Sequence, residues 1–242
     1  MEVLNQVLGW FIIVGTFITY GFQYKKLYDR KTVVGINDNM LIMGCLSSIL
    51  NLLGIITSSY YDIVNNRGEK LYFELLPIIQ LFSPWICLEI NYIIYYYYDI
   101  CQMRKTKFKL YNFLQIICVF IGYPILMLCI KDDYDVFSNL LNVISGIFSV
   151  LMWIPQIKTT LLEENEGTLS LISVGCHAAG CLLVIVFQLM ENSPFSTIIP
   201  YIIALCCEGW IVCYCLYKKY WRKKNEPLLN NIYTITESDE TQ

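Results

Sequence analysis

Charge is what this chain has least of: Asp, Glu, Lys and Arg make up 15% of its 242 residues, against about 25% in an ordinary soluble domain. Histidine is nearly absent, with His177 as its one copy. One imidazole cannot furnish a zinc centre built on several histidines, and no Ser/His/Asp arrangement accompanies it. The chain is therefore not read as an enzyme, and no cofactor is implied. Residues 4–18, 110–130 and 196–217 also have very little of the polar stripe that the surface helices of a soluble bundle require. A formal net charge of −3 gives no reason to expect a nucleic-acid partner.

What fills the space left by charge is apolar. Hydrophobic residues are 56% of the chain and the mean hydropathy is +0.51. The apolar residues are grouped on the scale of about 17–25 that a helix needs to cross a hydrocarbon core. Seven spans are expected, near 4–22, 39–58, 71–98, 110–130, 137–157, 169–190 and 196–217. With that layout, 14 of the 17 basic residues fall on one side: Lys25, Lys26, Arg30, Lys31, Arg104, Lys105, Lys107, Lys109, Lys158 and a cluster from Lys218 to Lys224. Arg67, Lys70 and Lys131 fall on the other. The positive-inside bias makes the richer side cytosolic, so the N-terminus is expected in the lumen or outside and the C-terminus in the cytosol. Residues 4–22 lack a basic flank and a small-residue cleavage site, so they read as a retained first span.

Ten of the eleven cysteines lie inside proposed spans, where cysteine packs as a small apolar residue. The closest pairs, Cys206–Cys207 and Cys213–Cys215, lack the spacing of a zinc site, so no metal centre is expected.

The chain also repeats itself. Span 1 ends in Gly21-Phe22-Gln23-Tyr24-Lys25, and a polar connection then closes in Lys31-Thr32-Val33-Val34-Gly35-Ile36-Asn37. Span 5 ends in Trp153-Ile154-Pro155-Gln156-Ile157-Lys158, and its connection closes in Glu166-Gly167-Thr168-Leu169-Ser170. A step of 133 residues carries Gln23 onto Gln156, Lys25 onto Lys158 and Asn37 onto Ser170 without a gap. Each segment opens a three-span unit of the same polarity, with span 4 as the inverting helix between them. Parallel repeats about an axis along the membrane normal are one way of building a carrier.

In these two loops the chain resembles the PQ-loop repeat membrane proteins, which include the lysosomal cystine and cationic amino acid carriers and, more distantly, the SWEET sugar transporters. The resemblance rests on Pro155-Gln156 and Phe22-Gln23 with their matched loops. It implies an all-α integral membrane fold of seven transmembrane helices, two parallel three-helix repeats joined by a linker helix (3+1+3). The expected units are residues 1–98, a linker over 99–136, a second repeat over 137–217 and a cytosolic tail over 218–242.

Pro155 lacks an amide hydrogen and clashes with the preceding turn, so span 5 should bend or break near its cytosolic end. The resemblance marks this bend as a hinge; the alternative is that Pro155 simply finishes the helix. Phe22 stands where the family has proline and cannot bend span 1 in that way, which leaves Gly21 as the flexible residue there. Gln23 and Gln156, each a donor and an acceptor, either tie the loops to neighbouring helices, forming a cytosolic gate, or sit as ordinary helix ends. His177 falls where the cystine carrier has an aspartate associated with proton coupling, and a histidine there reverses the charge logic. Its alternative is an interhelical hydrogen bond. Glu89 and Glu208 interrupt apolar sequence, so each is a candidate for binding protons or substrate, or else is paired structurally. Asn91 adds a polar group to span 3 that either lines the cavity, as a further candidate for binding protons or substrate, or acts as interhelical glue.

The leading expectation is thus a carrier of a small solute, most readily an amino acid, coupled to protons and working by alternating access. It would lie in the lipid bilayer of a lysosomal, vacuolar or other endomembrane. A seven-helix sorting or peptide receptor and a non-transporting membrane chaperone or scaffold are the other classes, and oligomeric state is not legible.

Overall fold

In the computed structural model, every regular element among the described residues (2–65, 68–101, 115, 118–129, 134–162, 169–190 and 195–239) is helical. Helix α1 (Glu2–Arg30) is followed by α2 (Asp38–Ser58), the short α3 (Tyr60–Asn65) and α4 (Glu69–Cys101). A π-helical turn at Cys118–Gly122 leads into α5 (Tyr123–Cys129). Then come α6 (Tyr134–Leu151), α7 (Trp153–Leu162), α8 (Leu171–Met190) and α9 (Phe195–Asp239). The π turn immediately precedes Pro124, whose missing amide and bulky ring disturb the regular ladder.

Five stretches are long and apolar enough to cross a membrane: Gln6–Arg30, Asp38–Ser58, Leu75–Asp99, Tyr134–Leu162 and Ile198–Trp221. A shorter apolar stretch, Leu171–Val186, belongs to α8. The expected span at 110–130 lies partly outside the described residues, as do Arg104, Lys105, Lys107 and Lys109. The protein is an all-α, multi-pass membrane protein, and its polarity is arranged to match. Outward faces carry Trp10, Phe11, Phe17, Ile93, Leu140, Ile147, Leu183 and Trp210, while Gln23, Ser47, Asn91, Ser145, Gln156 and Glu208 are buried. Large apolar side chains cover a surface where lipid replaces water.

Each set of three long helices has its third in the middle. Helix α4 packs against both α1 and α2, and α9 packs against α8, α6 and α7. The two sets meet reciprocally: α2 lies along α6, and α1 meets α8 over a smaller contact. The α2–α6 seam is close because small residues line it. The Ser47 hydroxyl donates to the Ser145 carbonyl at 2.9 Å and the Ser145 hydroxyl to the Ser47 carbonyl at 2.7 Å. One turn-pair further on, the Ser138 hydroxyl donates to the Gly54 carbonyl at 2.9 Å. Apolar helices have no hydrophobic drive to associate within lipid, so close approach and interhelical hydrogen bonds hold such a seam.

The ends of the expected spans shift outward. Helix α1 continues past residue 22 to Arg30, and α9 runs on to Asp239 through the segment read as a polar tail. Pro77, Pro84 and Pro200 lie inside helices that continue through them. Span 5 does break: α6 stops at Leu151, Met152 is a turn, and α7 restarts at Trp153. The break is where Pro155 requires it, since the proline ring opposes the carbonyl four residues back, that of Leu151. Helix α1 passes through Phe22 without interruption.

A side chain at Gly54 would collide with Asn142, whose Oδ1 would lie 2.2 Å from a Cβ there. Gly54→Val should therefore lower stability in detergent by about 1–3 kcal/mol, read as a fall in thermal unfolding temperature. Adding Asn142→Ala should recover part of the loss; no recovery would mean that the close approach of α2 to α6 is not the cause.

Candidate functional site

The repeated glutamines reach across the molecule, each into the loop of the other half. Gln23 is buried in α1, and its Oε1 accepts from the Ser170 amide at 2.7 Å. Gln156 is fully buried in α7. Its Oε1 accepts from the Asn37 amide at 3.1 Å, and its Nε2 donates to the Gly35 carbonyl at 3.0 Å. Asn37 and Ser170 are themselves one 133-residue step apart, so the repeat carries one bond onto the other. Lys26 and Thr159, also one step apart, extend the pattern. The Lys26 ammonium donates to the Leu169 carbonyl, and Thr159 Oγ1 accepts from Asn37 Nδ2 at 3.0 Å.

The loops are shaped for this. Gly35 has φ +94°, a left-handed conformation that favours glycine. That turn aims the Gly35 carbonyl and the Asn37 amide at Gln156. Asn37 then caps α2, accepting from the Asn39 amide at 3.0 Å, with Asp38 favourably placed in the first turn. Beneath the braces, Leu27, Val33, Ile36, Leu41, Trp153 and Leu169 pack into one apolar cluster. Gly21 has open space beside it, and Pro155 is half-buried within the first turn of α7.

Deeper in the bundle, α8 and α9 bring two predicted residues together. His177 Nδ1 lies 2.6 Å from Glu208 Oε1. Glu208 is wholly buried, and its second oxygen, Oε2, has no hydrogen-bond partner among the described residues. Cys181, one turn along α8, places its Sγ 3.8 Å from His177 Nδ1. His177 is four residues after buried Ser173 and four before buried Cys181, so at 3.6 residues per turn it lies about 40° from each, inside the buried arc of α8. Yet 40% of its side-chain surface is open. The exposed apolar residues of α8, Ile172, Leu182, Leu183 and Val186, lie on the other side of the helix.

Glu89 and Glu208 do not share surroundings. Glu89 is half-buried on α4, and its Oε1 accepts from Gln115 Nε2 at 2.5 Å. Asn91, with Ser83 and Asp99 a buried polar residue of α4, is four after buried Cys87, just as Glu208 is four after buried Ala204 in α9. Asn91 Oδ1, like Glu208 Oε2, has no partner among the described residues. Gln115, Cys181 and the cross-half partners Ser170 and Gly35 were not singled out by the sequence as partners of these groups. The four-residue step from His177 to Cys181 was the signal available for one of them.

Residues 4–64 match the PQ-loop repeat family. The matching stretch contains Gln23 and the loop to Asn37, the copy in which Phe22 replaces proline. The chain is also similar to the uncharacterized protein C4C5.03 of Schizosaccharomyces pombe, at 18% identity over 249 residues covering 90% of this chain and 82% of that one.

Replacing Gln156 by Leu leaves the Asn37 amide and Gly35 carbonyl unpaired, at about 1–3 kcal/mol for each buried group. Hydrogen exchange should then accelerate at Asn37 and leave Ser170 protected, whereas Gln23→Leu should do the reverse. Acceleration in the mutated residue's own loop would contradict the crossed arrangement.

Proposed function

We propose that this PQ-loop protein carries a small amino acid across an endomembrane by alternating access between its two three-helix halves, driven by protons. The supporting observation is Glu208, a fully buried carboxylate with one oxygen on His177 and the other unpartnered among the described residues. A buried carboxylate oxygen without a donor is costly, and a substrate ammonium group supplies the donor. Asn91 Oδ1 offers a second acceptor on the neighbouring half. The partly open ring of His177 is the approach to Glu208.

In this reading the crossed bonds of Gln23 and Gln156 close the cytosolic side, and their release opens it. The break at Met152, forced by Pro155, lets α7 and its glutamine swing while α6 stays on α2. Continuous α1, with Phe22 in place of proline, moves as a rod about Gly21. The halves then move unequally. Proton coupling falls to Glu89. Among the described residues Glu208 is paired with a histidine, whereas the hydrogen-bond partner of Glu89 is the neutral Gln115, and an intramembrane carboxylate beside a neutral partner is the better candidate for that role. The N-terminus faces the lumen and the C-terminus the cytosol, following the positive charges.

Uptake of a panel of labelled amino acids into proteoliposomes tests this. Saturable uptake should rise when a proton gradient is imposed. Glu208→Gln should raise the half-saturating concentration about tenfold to a hundredfold, the equivalent of a hydrogen bond to a charged group. Glu89→Gln should remove the response to the gradient and spare exchange. Saturable peptide binding with no amino-acid flux would replace the carrier by a receptor; unaltered kinetics in Glu208→Gln would remove the proposed site.

A further inference from the structure

His177, Cys181 and Glu208 each offer one ligand atom, and all three atoms lie within 4.8 Å of one another. From this we infer that the second half of the bundle contains a binding site for a thiophilic divalent cation of the zinc class. The four-residue step along α8 sets imidazole and thiol on one face, one turn apart, and α9 brings the carboxylate against them.

The geometry is close to what such an ion requires. With zinc bonds of about 2.0–2.3 Å, neighbouring ligand atoms in a tetrahedron lie about 3.3–3.7 Å apart. Cys181 Sγ and His177 Nδ1 are 3.8 Å apart, already near that spacing. His177 Nδ1 and Glu208 Oε1, at 2.6 Å, need only separate by a side-chain rotation. The unpartnered Glu208 Oε2 is a second point of attachment and is buried with its residue. Three protein ligands leave a fourth position for water or another small ligand, as in open zinc sites, and 40% of the His177 side-chain surface is open.

Charge favours the same cation. Bound as thiolate, carboxylate and neutral imidazole, the three ligands carry two negative charges and cancel a divalent ion, so the loaded site is neutral within the low-dielectric bundle. The thiol proton leaves to solvent on binding. A mixed nitrogen, sulfur and oxygen set disfavours magnesium and calcium, which take oxygen donors. The inference does not depend on transport, because metal binding is measured whether or not a solute moves.

Cobalt(II), a coloured stand-in for zinc, tests it on the full chain in detergent. One cobalt per chain should produce a thiolate charge-transfer band, and zinc should displace it. Cys181→Ser and Cys181→Ala should both abolish the band, while Cys213→Ser, at an exposed cysteine outside the cluster, should retain it. His177→Ala and Glu208→Gln should each weaken cobalt binding at least about tenfold. No band in the unmodified protein, or one that survives loss of the Cys181 thiol, would overturn the site.

Discussion

The two halves are tied by side-chain amides that cross between them. Gln23 holds the Ser170 amide of the second loop, and Gln156 holds Gly35 and Asn37 of the first. Without those amides, each loop would bury backbone groups that have no water to turn to, at a cost comparable to a lost hydrogen bond for each group. The loops in turn fix where α2 and α8 begin. The register of α2 along α6 and of α8 against α1 therefore depends on this pair of exchanged contacts. A duplicated chain gains a specific advantage here: one amino-acid choice, made at both copies, satisfies both ends of a reciprocal brace.

The repeat is not perfectly symmetric, and the differences have physical causes. Pro155 breaks the first long helix of the second half, while Phe22 leaves its counterpart whole. The α2–α6 seam is drawn tight by Ser47, Gly54, Ser138 and Ser145, and the α1–α8 contact is smaller. His177 lies with Cys181 on α8 against Glu208 of α9.

A polar cluster inside a membrane bundle must satisfy itself or await a partner. Most of the buried polar groups here are satisfied locally: Thr57 bonds Leu53 and Tyr123, and Ser47 and Ser145 bond each other's carbonyls. Glu208 and Asn91 retain an oxygen each for something further. The small-molecule chemistry of a carrier and the coordination chemistry of a metal ion both draw on that capacity, sharing Glu208 Oε2 but with different signatures.

Much of the architecture is local enough to be written in one dimension. Apolar length marks the helices that cross, because a bilayer has a fixed thickness. The 133-residue step between matched loops marks the duplication, and a proline marks the break in span 5 because its clash acts only one turn away. The partners of those residues are not local. Gln23 and Ser170 are 147 residues apart, and His177 and Glu208 are 31 apart on different helices. Hydropathy and periodicity carry no term for which helix lies beside which. That was decided by tertiary packing: small residues meet where α2 lies along α6, and α8 against α9 sets a thiol, an imidazole and a carboxylate within 4.8 Å of one another.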